Sequence, residues 1–183
     1  YKHLDEPLHL KNPGVPDLDL EWRTHVAPEE QRPSLRTYLE QVFRGQARGN
    51  YVTDAEGRLG RLIELYRHPS VVAKFVRANR MLHWIDAIFD LRGIAFLIRH
   101  PCAIVASQLD YEHGETNYWA QASPDDNVET VLAGSLPDHL VERFRPLIRD
   151  LETREEVLAA IWAVDNYCVL CRYGGPPGPV VAY

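Results

Sequence analysis

Arg99 closes the apolar run Phe96-Leu97-Ile98, Pro101 follows two positions later, and Ser107 comes eight positions after the arginine. In a parallel α/β sheet, the carboxyl ends of strands and the adjoining helix N-termini are where anionic ligands bind. A guanidinium placed there grips a phosphate with two directed bonds, and a serine hydroxyl two turns into the helix adds another. Phosphate binding is therefore the chemistry that these residue types and this spacing suit. The same spacing equally suits an arginine that closes a strand end beside an ordinary helix.

Other familiar chemistries find less in the chain. His3, His68, His83, His100 and His139 show no His-Glu-x-x-His or similar spacing, so they read as scattered surface or core histidines and no metal is expected. No Gly-x-Ser-x-Gly elbow is present, which argues against an α/β-hydrolase. Cys168-Val-Leu-Cys171 falls near the end of a helical pattern closed by Gly174-Gly175. A redox pair gains its reactive thiolate at a helix N-terminus, so these two read as reduced core thiols one helical turn apart. Cys102 is the third cysteine, and no second closely spaced ligand pair accompanies it to make a zinc site.

The elements that would position Arg99 and Ser107 are legible in the periodicity. Residues 1–34 carry Pro7, Pro13, Pro16, Pro28 and Pro33, spaced so that no long helix fits, and read as a loop excursion after a short extended start. From Ser34, a plausible cap, Leu35, Leu39, Val42 and Phe43 recur at helical spacing until Gly45 and Gly49. Leu59, Leu62, Ile63 and Tyr66 predict a second helix ending before Pro69. Residues 71–76 read as a strand, 81–91 as a helix and 93–98 as a continuous apolar strand. Together they describe a right-handed βαβ unit whose second strand is buried on both faces. Pro101 suits the first position of the next helix, with Ile104, Val105 and Leu109 inward. Residues 110–127 read as a long polar loop in which Tyr118 and Trp119 either line a pocket or anchor the loop. Helices are predicted at about 128–150 and 154–172, and a terminal strand at 179–183, parallel to and neighbouring the strands at 71–76 and 93–98.

Size and charge bound the possibilities. A chain of 183 residues, 45% hydrophobic and 25% charged, is long enough for one domain with a sizeable core. Twenty Lys plus Arg against 26 Asp plus Glu leave a net charge of −6, so nucleic acid and anionic lipid are not attracted over the whole surface. No apolar run approaches the roughly 20 residues of a membrane-spanning helix. The chain begins at Tyr1 without Met and stops just after Pro179-Val-Val-Ala-Tyr183, which we read as a piece of a longer protein. Unpaired cysteines lean towards a reducing, cytoplasmic compartment. No feature specifies an oligomeric state.

Strand-Arg99-x-Pro101 with Ser107 in the following helix resembles the 3′-phosphate-binding motif of sulfotransferases that use 3′-phosphoadenosine 5′-phosphosulfate (PAPS). Two further segments agree with it in order. Val71 to Ile85 resembles the strand before that motif, with Lys74 and Arg77 as basic residues at the strand end, and Asp5-Glu6-Pro7-Leu8 resembles the Glu-Pro-Leu segment of carbohydrate-type and related bacterial members. The resemblance covers residues 1–110 well, and the terminal strand fits one that often introduces a Tyr-Glu-Asp turn. It implies an α/β fold with a parallel central sheet flanked by helices, of the P-loop type, and Arg99 and Ser107 on the 3′-phosphate of PAPS. It also implies an acceptor that is a hydroxyl of a carbohydrate or small metabolite.

Sulfuryl transfer needs positive groups on the moving sulfonate, a rigid cofactor seat and a base for the acceptor proton. Lys74, Arg77 and, behind them, Arg80 are available for the first task. Glu6 is the leading base, with Pro7 biasing it towards extended backbone at the end of a strand, and His9 is the runner-up. Departures are as informative. The chain contains no basic, glycine-containing phosphate loop, Cys102 stands where many members have Arg or Lys, and the closing C-terminal segment is missing. We therefore expect residues 1–183 to be a single, partial sulfotransferase domain that does not transfer sulfate by itself. The alternatives are a non-catalytic nucleotide- or phosphate-binding domain and a P-loop kinase relative.

Overall fold

The computed structural model describes residues 2–21, 23–47, 70–110, 127–134, 136–171, 175–176 and 178–182. The helix expected at 59–66 and the polar loop with Tyr118 and Trp119 lie outside the described residues. The chain divides into two compact units, Tyr1–Arg23 with Glu29–Ala78, and Thr24–Pro28 with Asn79–Tyr183.

In the first unit, strand β1 (Lys2–Asp5) pairs in parallel with β2 (Val71–Lys74), in a register running from Lys2 opposite Val71 to Asp5 opposite Lys74. The β-branched pair Val71-Val72 favours this pleated conformation, and Leu4 is fully buried beneath it. The Pro-rich stretch folds as successive short turns. His9 N–H donates to the Glu6 carbonyl, Asn12 to His9, Val15 to Asn12 and Leu18 to Val15, ending in a 3-10 turn at Pro16–Leu18. Helix α1 spans Pro33–Phe43 and buries Leu35, Tyr38, Leu39 and Val42 on one face. Ser34 is not its cap, contrary to expectation. Pro33 takes the first helical position, where its fixed φ and missing N–H cost nothing, which leaves Arg32 at the boundary without a side-chain cap. Gly45, at φ 68°, closes the helix through its N–H bond to the Val42 carbonyl.

The second unit is mainly helical: α2 (Leu82–Ile88), α3 (Pro101–Asp110), α4 (Asn127–Leu132), α5 (Asp138–Ile148) and α6 (Arg154–Leu170). Val157, Leu158, Ile161, Val164 and Cys168 on α6 form the buried stripe, packed with Val105, Val131, Leu132, Leu140 and Ile148. A capping box starts α6: the Thr153 hydroxyl accepts the Glu156 N–H while the Glu156 carboxylate accepts the Thr153 N–H. Of the two paired cysteines only Cys168 is in the core. Cys171 is exposed just past the last helical residue.

Strand β3 (Phe96–Ile98) pairs in parallel with β4 (Val180–Ala182), Phe96 opposite Val180 and Ile98 opposite Ala182. The described residues therefore form a mixed helix-and-sheet fold with two small parallel sheets, ordered β1-β2 and β3-β4. β2 pairs with β1 inside the first unit and β3 with β4 inside the second, the latter joining two of the segments expected to be parallel neighbours. Apolar runs specify strands but not which strand each will join. Nor is β3 buried on both faces: Phe96 is buried, but Leu97 is 59% exposed. A run of apolar residues without alternation does not by itself show that both faces are covered.

Candidate functional site

β3 delivers Arg99 directly to the start of α3, where Pro101 occupies the first helical position as the sequence predicted. Arg99 is half-buried and Ser107 lies on the exposed side of α3, opposite the buried Val105. The amides at this helix start are already engaged. His100 Nδ1 accepts the Cys102 N–H at 3.2 Å, and the His100 carbonyl accepts those of Ala103 and Ile104 at 3.0 and 3.2 Å. Pro101 has no N–H to offer. An anion here would therefore have to be held by side chains, of which Arg99 and Ser107 are the two that the sequence singles out. At 1.5 Å of rise per residue, Ser107 is about 9 Å along α3 from Pro101, so a shared phosphate requires Arg99 to extend along the exposed side of the helix.

The other predicted residues, Glu6, His9, Lys74 and Arg77, belong to the first unit and gather at the carboxyl ends of β1 and β2. Parallel pairing brings them together, because Asp5 lies opposite Lys74 and the Glu6 N–H continues the ladder to the Lys74 carbonyl at 3.0 Å. Glu6 is not extended, as Pro7 led us to expect, but left-handed at φ 46°. A residue before proline avoids the right-handed helical region. Tertiary bonds then select the rarer conformation. The buried Asn12 amide donates to both the Glu6 carbonyl at 3.0 Å and the Pro7 carbonyl at 3.2 Å, and the Tyr38 hydroxyl donates to Pro7 at 2.6 Å. Asn12 is a residue that sequence reasoning passed over, since an asparagine in a Pro-rich turn carries no spacing signal that marks it as an anchor.

Glu6 Oε2 meets Arg77 Nη1 at 2.8 Å, with the two side chains only 12% and 18% exposed. Burial pushes the Glu6 carboxyl above the usual carboxylate range, outweighing the Arg77 guanidinium that pulls it down. Asp5 pushes the same way as burial, while Lys74 and the Val76 amide oppose it. The second oxygen, Oε1, is buried without a hydrogen-bond partner. His9 Nδ1 accepts the Lys11 N–H at 3.1 Å. Burial, then Arg77 and Lys11, lower its pKa and favour the neutral ring. Lys74 Nζ meets Asp5 at 3.0 Å, both side chains about half exposed. Each cation of this group thus faces a carboxylate, and the local charge is close to balanced.

Arg80 does not join them. Its side chain is 1% exposed, with Nε on Asp165 at 2.6 Å, Nη2 on the Val131 carbonyl at 3.0 Å and Nη1 on the Ala133 carbonyl. It closes the C-terminal end of α4, whose last carbonyls have no partner within the helix. As a sulfonate-facing cation it is withdrawn, because a guanidinium sequestered in the helical core has no free face for a ligand.

Among the described residues no group of three or more His, Cys, Asp or Glu gathers as metal ligands, and no described helix is long and apolar enough to cross a membrane. Comparison with protein-family models, with curated proteins and with solved structures gives no match.

Proposed function

We propose that this chain is part of a PAPS-dependent sulfotransferase domain of the P-loop type, acting on a hydroxyl of a carbohydrate or small metabolite. The observation that carries the reading is the β3-Arg99-Pro101-α3 connection: a parallel strand runs straight into a proline-led helix with Ser107 on its exposed side. Arg99 and Ser107 supply directed donors for the 3′-phosphate, which fits a donor set of one guanidinium and one hydroxyl with the helix amides already engaged.

PAPS, when bound, supplies an activated sulfuryl group; the chain's own residues bind, orient and move the proton. Glu6 is the base for the acceptor's hydroxyl proton, with Arg77 holding its Oε2. Arg77 fixes the carboxylate and, with Lys74, lines the positive side of the group. His9 is the second candidate base. Without a basic glycine-containing loop for the 5′-phosphosulfate, the 183-residue chain transfers no sulfate by itself.

The balanced charge around Glu6 favours a second reading, a phosphate-binding domain without transfer activity. Calorimetry tests the first. In a protein that carries the phosphate loop together with this chain, Arg99→Ala removes charge-assisted bonds worth about 1.5–3 kcal/mol, so adenosine 3′,5′-bisphosphate should bind about 10- to 150-fold more weakly. Adenosine 5′-phosphate should be little affected. Equal weakening of both nucleotides shows that Arg99 does not read the 3′-phosphate, and retained nucleotide binding without sulfate transfer selects the second reading.

A further inference from the structure

An open cavity of about 840 Å³ lies in the first unit between the Pro13–Gly14 turn and α1, lined by Ser34, Thr37, Tyr38 and Gln41 from the helix and by Gln46 beyond it. That volume is in the range of small-molecule sites, roughly 300–1,000 Å³. Both walls are held in place from beneath. Asn12 and Val15, flanking the turn, are fully buried, and Asn12 bonds two carbonyls through its side chain. On the other side, burial of Leu35, Leu39 and Val42 fixes the rotation of α1, so that positions 34, 37 and 41 share one stripe along the cavity. Gly14, at φ 83°, faces the Tyr38 ring: a Cβ built there would stand in van der Waals contact, 3.9 Å from Cδ2 and Cε2.

The chemistry of the lining is uniform. The hydroxyls of Ser34 and Thr37 and the carboxamides of Gln41 and Gln46 can each donate and accept hydrogen bonds, while proline and tyrosine carbons offer an apolar wall. None of the described lining side chains carries charge at neutral pH, and burial pushes the Tyr38 phenol up to about 12. The charged residues of α1 lie elsewhere on the helix, where Arg36 pairs with Glu40 at 3.3 Å. Among the described lining residues an ionic ligand would find no charged partner, and a purely apolar one would leave the hydroxyls and amides unpaired.

The geometry points to a binding site for an uncharged, hydroxyl-rich ligand of the neutral saccharide class, in the cavity between the Pro13–Gly14 turn and α1. The site lies wholly within the first unit and requires no nucleotide, so it stands whether or not the chain takes part in sulfate transfer.

The test is a ¹⁵N NMR titration of the 183-residue chain, without nucleotide, using maltotriose and N,N′-diacetylchitobiose as neutral probes and a sulfated heparin disaccharide as the anionic one. At least one neutral probe should give saturable shifts at the Gly14, Ser34, Thr37 and Gln41 amides, with a Kd of about 1 mM or tighter. Thr37→Ala with Gln41→Ala preserves an exposed helix surface, alanine being the best helix former, and should weaken that binding about tenfold. Unchanged circular dichroism checks that the variant is folded. The proposal is overturned if neither neutral probe saturates, if the double variant binds as well as the parent, or if the heparin disaccharide binds as tightly as the neutral probes.

Discussion

Replacing Arg80 by Met is the sharpest test of how the helical unit is held together. The Arg80–Asp165 pair, at 2.6 Å, corresponds to about 6 kcal/mol of attraction at an effective dielectric constant of 20, offset by several kcal/mol for removing each charge from water. Arg80 is almost wholly buried and also satisfies the Val131 and Ala133 carbonyls, so its loss strands two acceptors as well as Asp165. Breaking such a pair from one side costs about 3–5 kcal/mol. Urea unfolding should show that loss, and amide exchange should place it in α4 and α6. Arg80→Met together with Asp165→Leu should recover part of it, because no buried charge is then left alone. A loss below about 1 kcal/mol in the single variant would be that of a surface ion pair. It would refute the buried assignment and return Arg80 to the cations available to a ligand.

Gly178→Ala should disrupt the β3–β4 pair, since a Cβ there would lie 1.9 Å from the Ile94 carbonyl oxygen, a backbone atom that cannot rotate away. Loss of exchange protection at the Phe96 amide, which donates to Pro179, reads this out, and unchanged protection counts against it. Thr153→Ala removes the side-chain half of the α6 capping box and should cost about 1 kcal/mol in chemical denaturation; no change would show that the cap contributes nothing. For Glu6 the sign follows from its raised carboxyl pKa: the native state holds the proton more tightly than the unfolded chain, so this group's stabilisation is full below the unfolded value and declines as pH rises from there through the folded one. Glu6→Gln should abolish that decline, and denaturation curves across the acid range that stay parallel for parent and variant would contradict it. His9 acts oppositely: its lowered pKa makes stability fall as pH drops through the unfolded histidine range, a trend that His9→Gln should remove.

The sequence was most informative where local rules act alone. Pro101 at a helix start, Gly45 at a helix end and the buried stripe of α6 follow from a fixed φ, a left-handed C-terminus and a 3.6-residue period, none of which needs a distant partner. Even Ser34 against Pro33 was a competition between two local signals, lost by a single position. The Arg99–Ser107 spacing was visible for the same reason, being confined to one strand-to-helix connection.

What local rules could not supply is anything that depends on residues far apart in the chain. Arg77 and Glu6 are 71 positions apart, and Arg80 and Asp165 are 85 apart. From sequence, Arg77 and Arg80 are alike, basic residues just after a strand. Packing makes one the partner of a candidate base and the other a buried cap for α4. Likewise, the left-handed backbone of Glu6 is held by Asn12 and the β2 ladder against the propensity of the residue itself. The sequence by itself determined roughly where strands and helices lie, though not their ends, since the strand expected at 93–98 is Phe96–Ile98 and the segment expected at 128–150 is two helices, and it determined which residue types were available for phosphate chemistry. Tertiary structure alone decided which strands pair and which charges are buried or neutralised, because pairing and desolvation are properties of neighbours that the chain brings together only on folding.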